Sequence, residues 1–279
     1  MPDIQEKIGH SLIQHGDSNR RVYLMKLDHR DRSRIITDIE KLARKNRYGK
    51  IFCKVPEWAR SLFEKHHYRM RAHVPGFYQG KNDLFFMSKF MNLERKHLPG
   101  STENTILENL KLARAKAAQC NSVRTPEGYQ IKKLNNRHIQ ELSLLYQATY
   151  ISYPFPITDP EYLKATMHSH IDYFGCLFED RLVAAASAEK DSSACNAEMT
   201  DFATDPDHRG RGLATALLMK MEQAMKKQNI LTLFTIARAL SPGINITFAK
   251  CGYQYSGTLI NNTQISGNIE SMNVWYKRL

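Results

Sequence analysis

The chain has 279 residues, enough for one large domain or two ordinary ones, with the 42% hydrophobic and 24% charged content of a soluble globular protein. No apolar run of about eighteen residues occurs, so no membrane span is expected, and the start Met1-Pro2-Asp3-Ile4-Gln5-Glu6-Lys7 lacks the basic-then-apolar layout of a secretory signal. Cysteines at 53, 120, 176, 195 and 251 are odd in number and make no CxxC pair, which points to a reduced cytoplasm and mostly buried thiols. The net charge of +12 lies wholly in residues 1–124, where 25 Lys and Arg face 13 Asp and Glu; residues 125–279 carry 15 of each. Such a half could meet nucleic acid, an anionic cofactor or an acidic partner, yet its charges are scattered rather than gathered in one tract, as on a solvated basic surface.

In chain order, residues 22–27 read as a strand and 31–47 as an amphipathic helix with Ile35, Ile39, Leu42 and Ala43 inward. A strand at 50–55, a helix at 57–67 and two closing strands at 68–74 and 84–90 follow. Leu98-Pro99-Gly100-Ser101-Thr102 is a breaker and helix cap, behind which 103–120 is helical with Ile106, Leu107, Leu110, Ala113 and Ala117 on one face. The stretch 121–128 punctuates the chain. The expected division is therefore an N-terminal domain at 1–100, a connector helix and linker at 101–124 and a second domain at 125–279.

The second domain reads as mixed α/β. A strand at 129–134, a helix at 136–150, the loop Tyr150-Ile151-Ser152-Tyr153-Pro154-Phe155-Pro156 and a helix at 159–168 come first. A hairpin pairs 173–179 with 182–190 around Asp180-Arg181, and the strand 198–204 ends where Pro206 removes a ladder donor. The clearest helix is 212–227, with Leu213, Leu217, Met221, Ala224 and Met225 inward. A strand at 231–236, a helix at 242–251 and strands at 253–260 and 269–277 close the chain. The first domain echoes this ending: Glu64-Lys65-His66-His67-Tyr68 corresponds to Ala249-Lys250-Cys251-Gly252-Tyr253, a degenerate internal repeat. Its counterpart of the later glycine loop is Asp28-His29-Arg30-Asp31-Arg32, which has no glycine to let a pyrophosphate approach, so that copy is expected to be non-catalytic.

The stretch that carries chemistry is Asp205-Pro206-Asp207-His208-Arg209-Gly210-Arg211-Gly212-Leu213-Ala214, entering a helix. A helix N-terminus offers unpaired N–H groups and a positive dipole end to an anion. Gly210 and Gly212 permit tight turning and close approach, and Arg209 and Arg211 add charge. Alone this specifies only an anion site, since it is neither G-x-G-x-x-G nor a Walker loop. In its setting of strand, Arg-x-x-Gly-x-Ala, long helix, strand, helix and Gly-aromatic (Cys251-Gly252-Tyr253), residues 129–279 resemble the GNAT acetyltransferase superfamily. The resemblance implies a mixed, mostly antiparallel sheet flanked by helices. It implies acetyl-CoA as co-substrate, its pyrophosphate on the amides of Gly210, Arg211, Gly212, Leu213 and Ala214 beside Arg209, and its pantetheine arm along the main chain at Phe202 and Thr204.

A narrower likeness spans both halves. Tyr153-Pro154-Phe155-Pro156-Ile157, Glu198-Met199-Thr200-Asp201, Leu240-Ser241-Pro242-Gly243-Ile244-Asn245, Val74-Pro75-Gly76-Phe77-Tyr78 and Phe85-Phe86-Met87 look like the β-lysine N-acetyltransferases. Those enzymes make N-ε-acetyl-β-lysine, a compatible solute, beside a lysine 2,3-aminomutase. The likeness implies a small diamino acid as acceptor.

An amine in water has a pKa near 10.4 and must lose a proton before it attacks. Glu198, eleven residues before Arg209, occupies the slot that holds the general base in many superfamily members. Asp201 is second; three residues on, it points to the opposite face of the strand unless a bulge intervenes. The superfamily tyrosine that protonates the departing thiolate is here Phe248, which leaves Tyr253, Tyr255, water or an unassisted thiolate. Arg238 is favoured for the substrate carboxylate because a guanidinium grips it at two points. Asn245 could orient cofactor or substrate, and Tyr153 and Phe155 could wall the pocket. His168 and His170 fall on different helix faces with no third ligand, so no metal is expected. Other acceptors (a polyamine, a protein lysine), a silent acyl-CoA sensor and a nucleic-acid binder are the competing readings. An intact glycine loop and Glu198 weigh against the last two. A homodimer stays open.

Overall fold

The computed structural model describes residues 3–117 and 125–279. The first unit begins with a hairpin, β1 (Ile4–Ile8) and β2 (Ser11–Gly16), then β3 (Arg21–Lys26), α1 (Ile35–Lys45), β4 (Lys50–Pro56), α2 (Arg60–Lys65), β5 (Arg69–Tyr78), β6 (Asn82–Phe90) and a single turn, α3 (Leu93–Lys96). The second contains α4 (Gly100–Ala117), β7 (Tyr129–Lys133), α5 (Ile139–Thr149), α6 (Pro160–Met167), β8 (Ile171–Phe178), β9 (Arg181–Asp191), β10 (Asn196–Thr204), α7 (Leu213–Lys227), β11 (Thr232–Arg238), α8 (Pro242–Lys250), β12 (Gln254–Ile265) and β13 (Asn268–Arg278).

The strands form two sheets, ordered β1-β2-β3-β4-β6-β5 and β7-β8-β9-β10-β11-β13-β12. Each holds one parallel pair, β3 with β4 and β10 with β11; the other pairings are antiparallel. Set beside β8 onward, the first sheet matches the second strand for strand, with α1 and α7 as the crossovers between the parallel strands. This is the internal repeat in three dimensions, and it includes the hairpin β1–β2, which the sequence reading left out. That hairpin is hard to see because β1 is exposed and charged, while β2 buries polar Ser11, Gln14 and His15 in place of an apolar alternation.

Each strand of the inner sheet surfaces alternates between two cores. On one face of the first sheet Val22, Leu24, Ile51, Cys53 and Val55 pack under Ile35, Ile39, Ala43 and Phe63 of α1 and α2. On the other, Tyr23, Phe52, Val74, Leu84 and Phe86 pack directly on Phe234, Leu259, Met272 and Val274 of β11, β12 and β13. The second sheet is covered on its far face by α4, α7 and α8 through Leu110, Leu217, Met221, Met225 and Phe248. Its near face is shared between α5 and α6, over the β8–β10 end, and the first sheet, over β11–β13.

The expected stripe of the glycine-loop helix is buried as read (Leu213, Leu217, Met221 and Met225). The expected connector is different. Ile106, Leu110 and Ala113 of α4 belong to the core around α7 and α8, and Leu107, expected inward, is 57% exposed. Residues 118–120 at the end of that expected helix, Cys120 among them, and the linker residues 121–124 lie outside the described residues. Cys53, Cys176 and Cys251 are buried.

The units are joined by more than apolar area. Thr232 Oγ1 donates to Gly76 O at 2.7 Å, Asn196 Nδ2 to Phe77 O at 3.2 Å and Gln79 N to Ala194 O at 2.6 Å. At Gly257, where β12 bulges toward β5, a Cβ would fall 1.9 Å from the Arg71 carbonyl oxygen. Glycine is required there by the approach of one main chain to the other. Gly257→Ala should therefore lower the unfolding free energy by about 1–3 kcal/mol, read from the denaturant midpoint. An unchanged midpoint would mean that the two backbones do not meet.

Candidate active site

Pairing between β10 and β11 runs from Asn196–Thr232 to Glu198–Phe234 and stops, although β10 continues beside β9 to Thr204 and β11 beside β13 to Arg238. A wedge therefore opens between the parallel strands beyond Glu198. The glycine loop closes its wide end. A short turn at Pro206–His208 is capped by Asp205, whose carboxylate accepts from Asp207 N at 3.0 Å. Gly210 (φ 76°) and Gly212 (φ 78°) then take left-handed conformations open to glycine. The first main-chain bond of α7 runs from Ala216 N to Gly212 O, so the amides of Leu213, Ala214 and Thr215 precede the ladder. A Cβ built on either glycine meets no atom within 4 Å, which leaves a cradle of main-chain donors facing open space. Arg209 Nε reaches back to Thr204 O at 3.1 Å. Arg211 turns away from the cavity toward Asp207 O at 3.4 Å, so only its main chain sits in the loop.

From this cradle a cavity of about 670 Å³ runs through the wedge to the face of the first sheet. It is lined by Phe202, Thr204 and the loop at one end and by Glu198, Tyr153, Phe155 and Arg238 further in. The carbonyl of Phe202 accepts from Tyr150 Oη at 2.6 Å, fixing the strand at the wedge.

Glu198 is half-buried within it, its side chain 16% exposed. Burial, reinforced by the charges of Glu189 and Asp201, pushes its carboxyl up to about 7, while Lys54 opposes the rise. Lys54 comes from β4 of the first unit and brings Nζ to 3.7 Å from Glu198 Oε2. Burial works against the ammonium, yet Tyr23, Glu198 and Glu189 around it hold its pKa above the ordinary lysine value.

Asp201 is on the same side as Glu198. A bulge between Thr200 and Ala203, with Asp201 at φ 56°, reverses the alternation that would have sent it to the other face. Its carboxylate accepts from Tyr153 Oη at 2.6 Å and from Ser187 Oγ. Burial raises its pKa against these bonds. With both oxygens engaged, Asp201 anchors the Tyr153 loop, and Glu198 is the freer carboxylate.

Other expected residues fall differently. Arg238 lines the cavity, but Glu270 already takes its guanidinium at two points, Nε–Oε2 at 3.0 Å and Nη2–Oε1 at 2.6 Å. Asn245, expected to orient a ligand, is wholly buried away from the cavity. It donates to Arg238 O and Ser241 O and accepts from Asn273 Nδ2 and Trp275 Nε1, which uses its amide completely. It holds α8 to β13. Phe248 is buried edge-on to Phe202 and Tyr253. Tyr253 is buried behind it and Tyr255 bonds Thr258 at 2.6 Å; neither lines the cavity.

Sequence reasoning missed Arg21, Tyr23, Phe52 and Lys54, which the first unit contributes to the lining. A signal was present: β4 reads Lys50-Ile51-Phe52-Cys53-Lys54-Val55, so its lysines share one face while the apolar residues that meet the helices share the other. A central strand covered on both faces has no reason to carry lysines inward unless they meet a partner.

The match to known proteins agrees with this geometry. Residues 139–253 match the model of the acetyltransferase (GNAT) family. The β-lysine N(6)-acetyltransferase of Methanococcus maripaludis is 38% identical over 97% of both chains. The N-acetyltransferase YodP of Bacillus subtilis is 30% identical over 96% of both, and the β-lysine N(6)-acetyltransferase of Methanosarcina mazei is 36% identical over 56% of this chain and 58% of its own. The chain belongs to the GNAT family and is an acetyl-CoA-dependent N-acetyltransferase.

Proposed function

We propose that the chain moves the acetyl group of acetyl-CoA to the terminal amine of β-lysine, giving N-ε-acetyl-β-lysine. The observation that supports this most is Glu198, a half-buried carboxylate between the two units at the inner end of a wedge whose outer end is a phosphate cradle. The likeness to the β-lysine N(6)-acetyltransferase of Methanococcus maripaludis along nearly the whole chain, first unit included, supports the acceptor.

In this reading the amides of residues 210–214 hold the pyrophosphate and the free edges of β10 and β11 hold the pantetheine arm. The acceptor arrives as an ammonium. Glu198 takes one proton, the freed nitrogen attacks the thioester carbonyl, and the C–S bond breaks as the nitrogen's second proton passes to water or to the departing thiolate, leaving a neutral amide and CoA. A thiol of ordinary pKa near 8.5 makes a tolerable leaving group near neutral pH, which suits a site whose α8 carries Phe248 in place of a phenol.

The rate in kcat/KM should fall on the acid side with an apparent pKa near 7 as Glu198 takes up a proton. Glu198→Gln should remove that limb and lower kcat by about 10²–10⁴-fold. Because Lys54 holds the Glu198 pKa down, Lys54→Met should move the limb to higher pH; a limb that stays in place in both variants would exclude Glu198 as the base. Separately, Gly212→Ala places a side chain at φ 78° in the cradle, a conformation that costs an ordinary residue about 1–2 kcal/mol. The KM for acetyl-CoA should rise by about 10-fold with the acceptor KM little altered, and steady-state kinetics with each substrate varied in turn would show the reverse if the loop served the acceptor.

A further inference from the structure

We infer that Arg21, on the first unit, is the residue that binds the acceptor's carboxylate; the assignment rests on the β-lysine reading above. Arg21 is only 3% exposed yet lines the cavity, and no carboxylate among the described residues pairs with it. Its Nη1 donates to Asn262 O and to Thr263 Oγ1, while Nε is buried with no partner at all. The guanidinium lies over Tyr23 and Phe52, 5.1 and 5.6 Å from the ring centres, and both rings line the same cavity.

Its surroundings are positive. Lys50, fully buried, donates to Ile260 O and Asn262 Oδ1 at 2.7 Å each. Arg95 donates to Asn261 O and Asn19 O at 2.8 Å each. These neutral acceptors explain Lys50 and Arg95 as clasps on the bulged segment 260–263 of β12. Burial and the charges of Arg21, Arg95 and Arg71 pull the Lys50 pKa well down, which leaves the guanidinium groups of Arg21 and Arg95 close together with no ion pair to a carboxylate among the described residues. Asp3, whose charge favours the ionised forms of Arg21 and Arg95, accepts from Asn19 N and Nδ2. Burial pulls the Arg21 pKa down to about 10, still well above neutral, so the charge persists. A buried guanidinium with an unused donor is costly unless an anion completes it.

Position supports the same ligand. Arg21 and Tyr23 are two residues apart on one strand face, about 7 Å. The Tyr23 ring is 5.8 Å from Lys54 Nζ, which in turn reaches Glu198. Arg21, Tyr23, Lys54 and Glu198 thus follow one another along the cavity wall, an order that suits a molecule with a carboxylate at one end and an amine several methylenes away. Arg238 lacks this freedom, because an acceptor carboxylate would have to displace Glu270.

The test compares β-lysine with 1,4-diaminopentane, which keeps both amines and lacks the carboxylate. For the wild-type chain, kcat/KM should favour β-lysine. In Arg21→Gln that preference should fall by about 10- to 100-fold, chiefly through the KM for β-lysine. Arg21→Lys, which keeps the charge and loses the fork, should fall between and serves if the Gln variant does not fold, with far-UV circular dichroism as the check. A wild-type preference that survives in both variants would overturn the assignment while leaving β-lysine as substrate. A wild-type chain with no preference would overturn the acceptor reading and the assignment with it.

Discussion

The closing of one sheet face on another brings Glu198 of β10 and Lys54 of β4 to 3.7 Å in a space that neither unit encloses alone. Two opposite charges drawn together out of most of the solvent, their side chains 17% and 16% exposed, tolerate a setting of lowered dielectric that would disfavour either by itself. The pairing leaves Glu198 a carboxyl that changes charge near neutral pH, since burial raises it and the lysine limits the rise. A solvated carboxylate would be too weak a base for an ammonium, and a deeply buried unpaired one would stay protonated. Docking of the units, held by Thr232, Asn196 and the close approach at Gly257, is therefore a condition for the role proposed for Glu198.

The two units share one strand order, and their divergence is local. In the second, the turn after β10 leads into Gly210 and Gly212, and the wedge beside it stays open. In the first, the corresponding turn ends in Asp31, whose carboxylate accepts from His10 N, Ser11 N and Ser11 Oγ. That carboxylate fits so tightly that a Cβ on Gly9 would lie 2.2 Å from it. One copy thus presents main-chain donors to open space, and the other has filled its turn with its own side chain. The sheet freed from that task supplies a wall, with Arg21, Tyr23, Phe52 and Lys54 facing the cavity.

Much of this was legible in the sequence for physical reasons. The stripe Leu213, Leu217, Met221 has the helical period, and Arg209-Gly210-Arg211-Gly212 sits where a helix begins, so the loop could be read without a fold. Glu198 followed by counting back from it. What escaped depends on contacts across long sequence distance. Asp201 changed faces through a bulge that alternation cannot announce. Arg238 looked free because Glu270 lies 32 residues away on a neighbouring strand. Asn245 looked like a ligand group because its four partners come together only when β11, α8 and β13 meet. The basic excess of the first half was plain, but its inward share at Arg21, Lys50 and Lys54 depends on which face of that sheet meets the second unit.

The central claim, that both units build the acceptor site, is tested most directly by a crystal structure of the chain with CoA and β-lysine bound together. The account predicts β-lysine in the cavity between the sheets, its terminal nitrogen within hydrogen-bond reach of Glu198 and its carboxylate on a residue of the first unit. An acceptor held wholly by residues of the second unit, with Arg21, Tyr23, Phe52 and Lys54 out of contact, would contradict it.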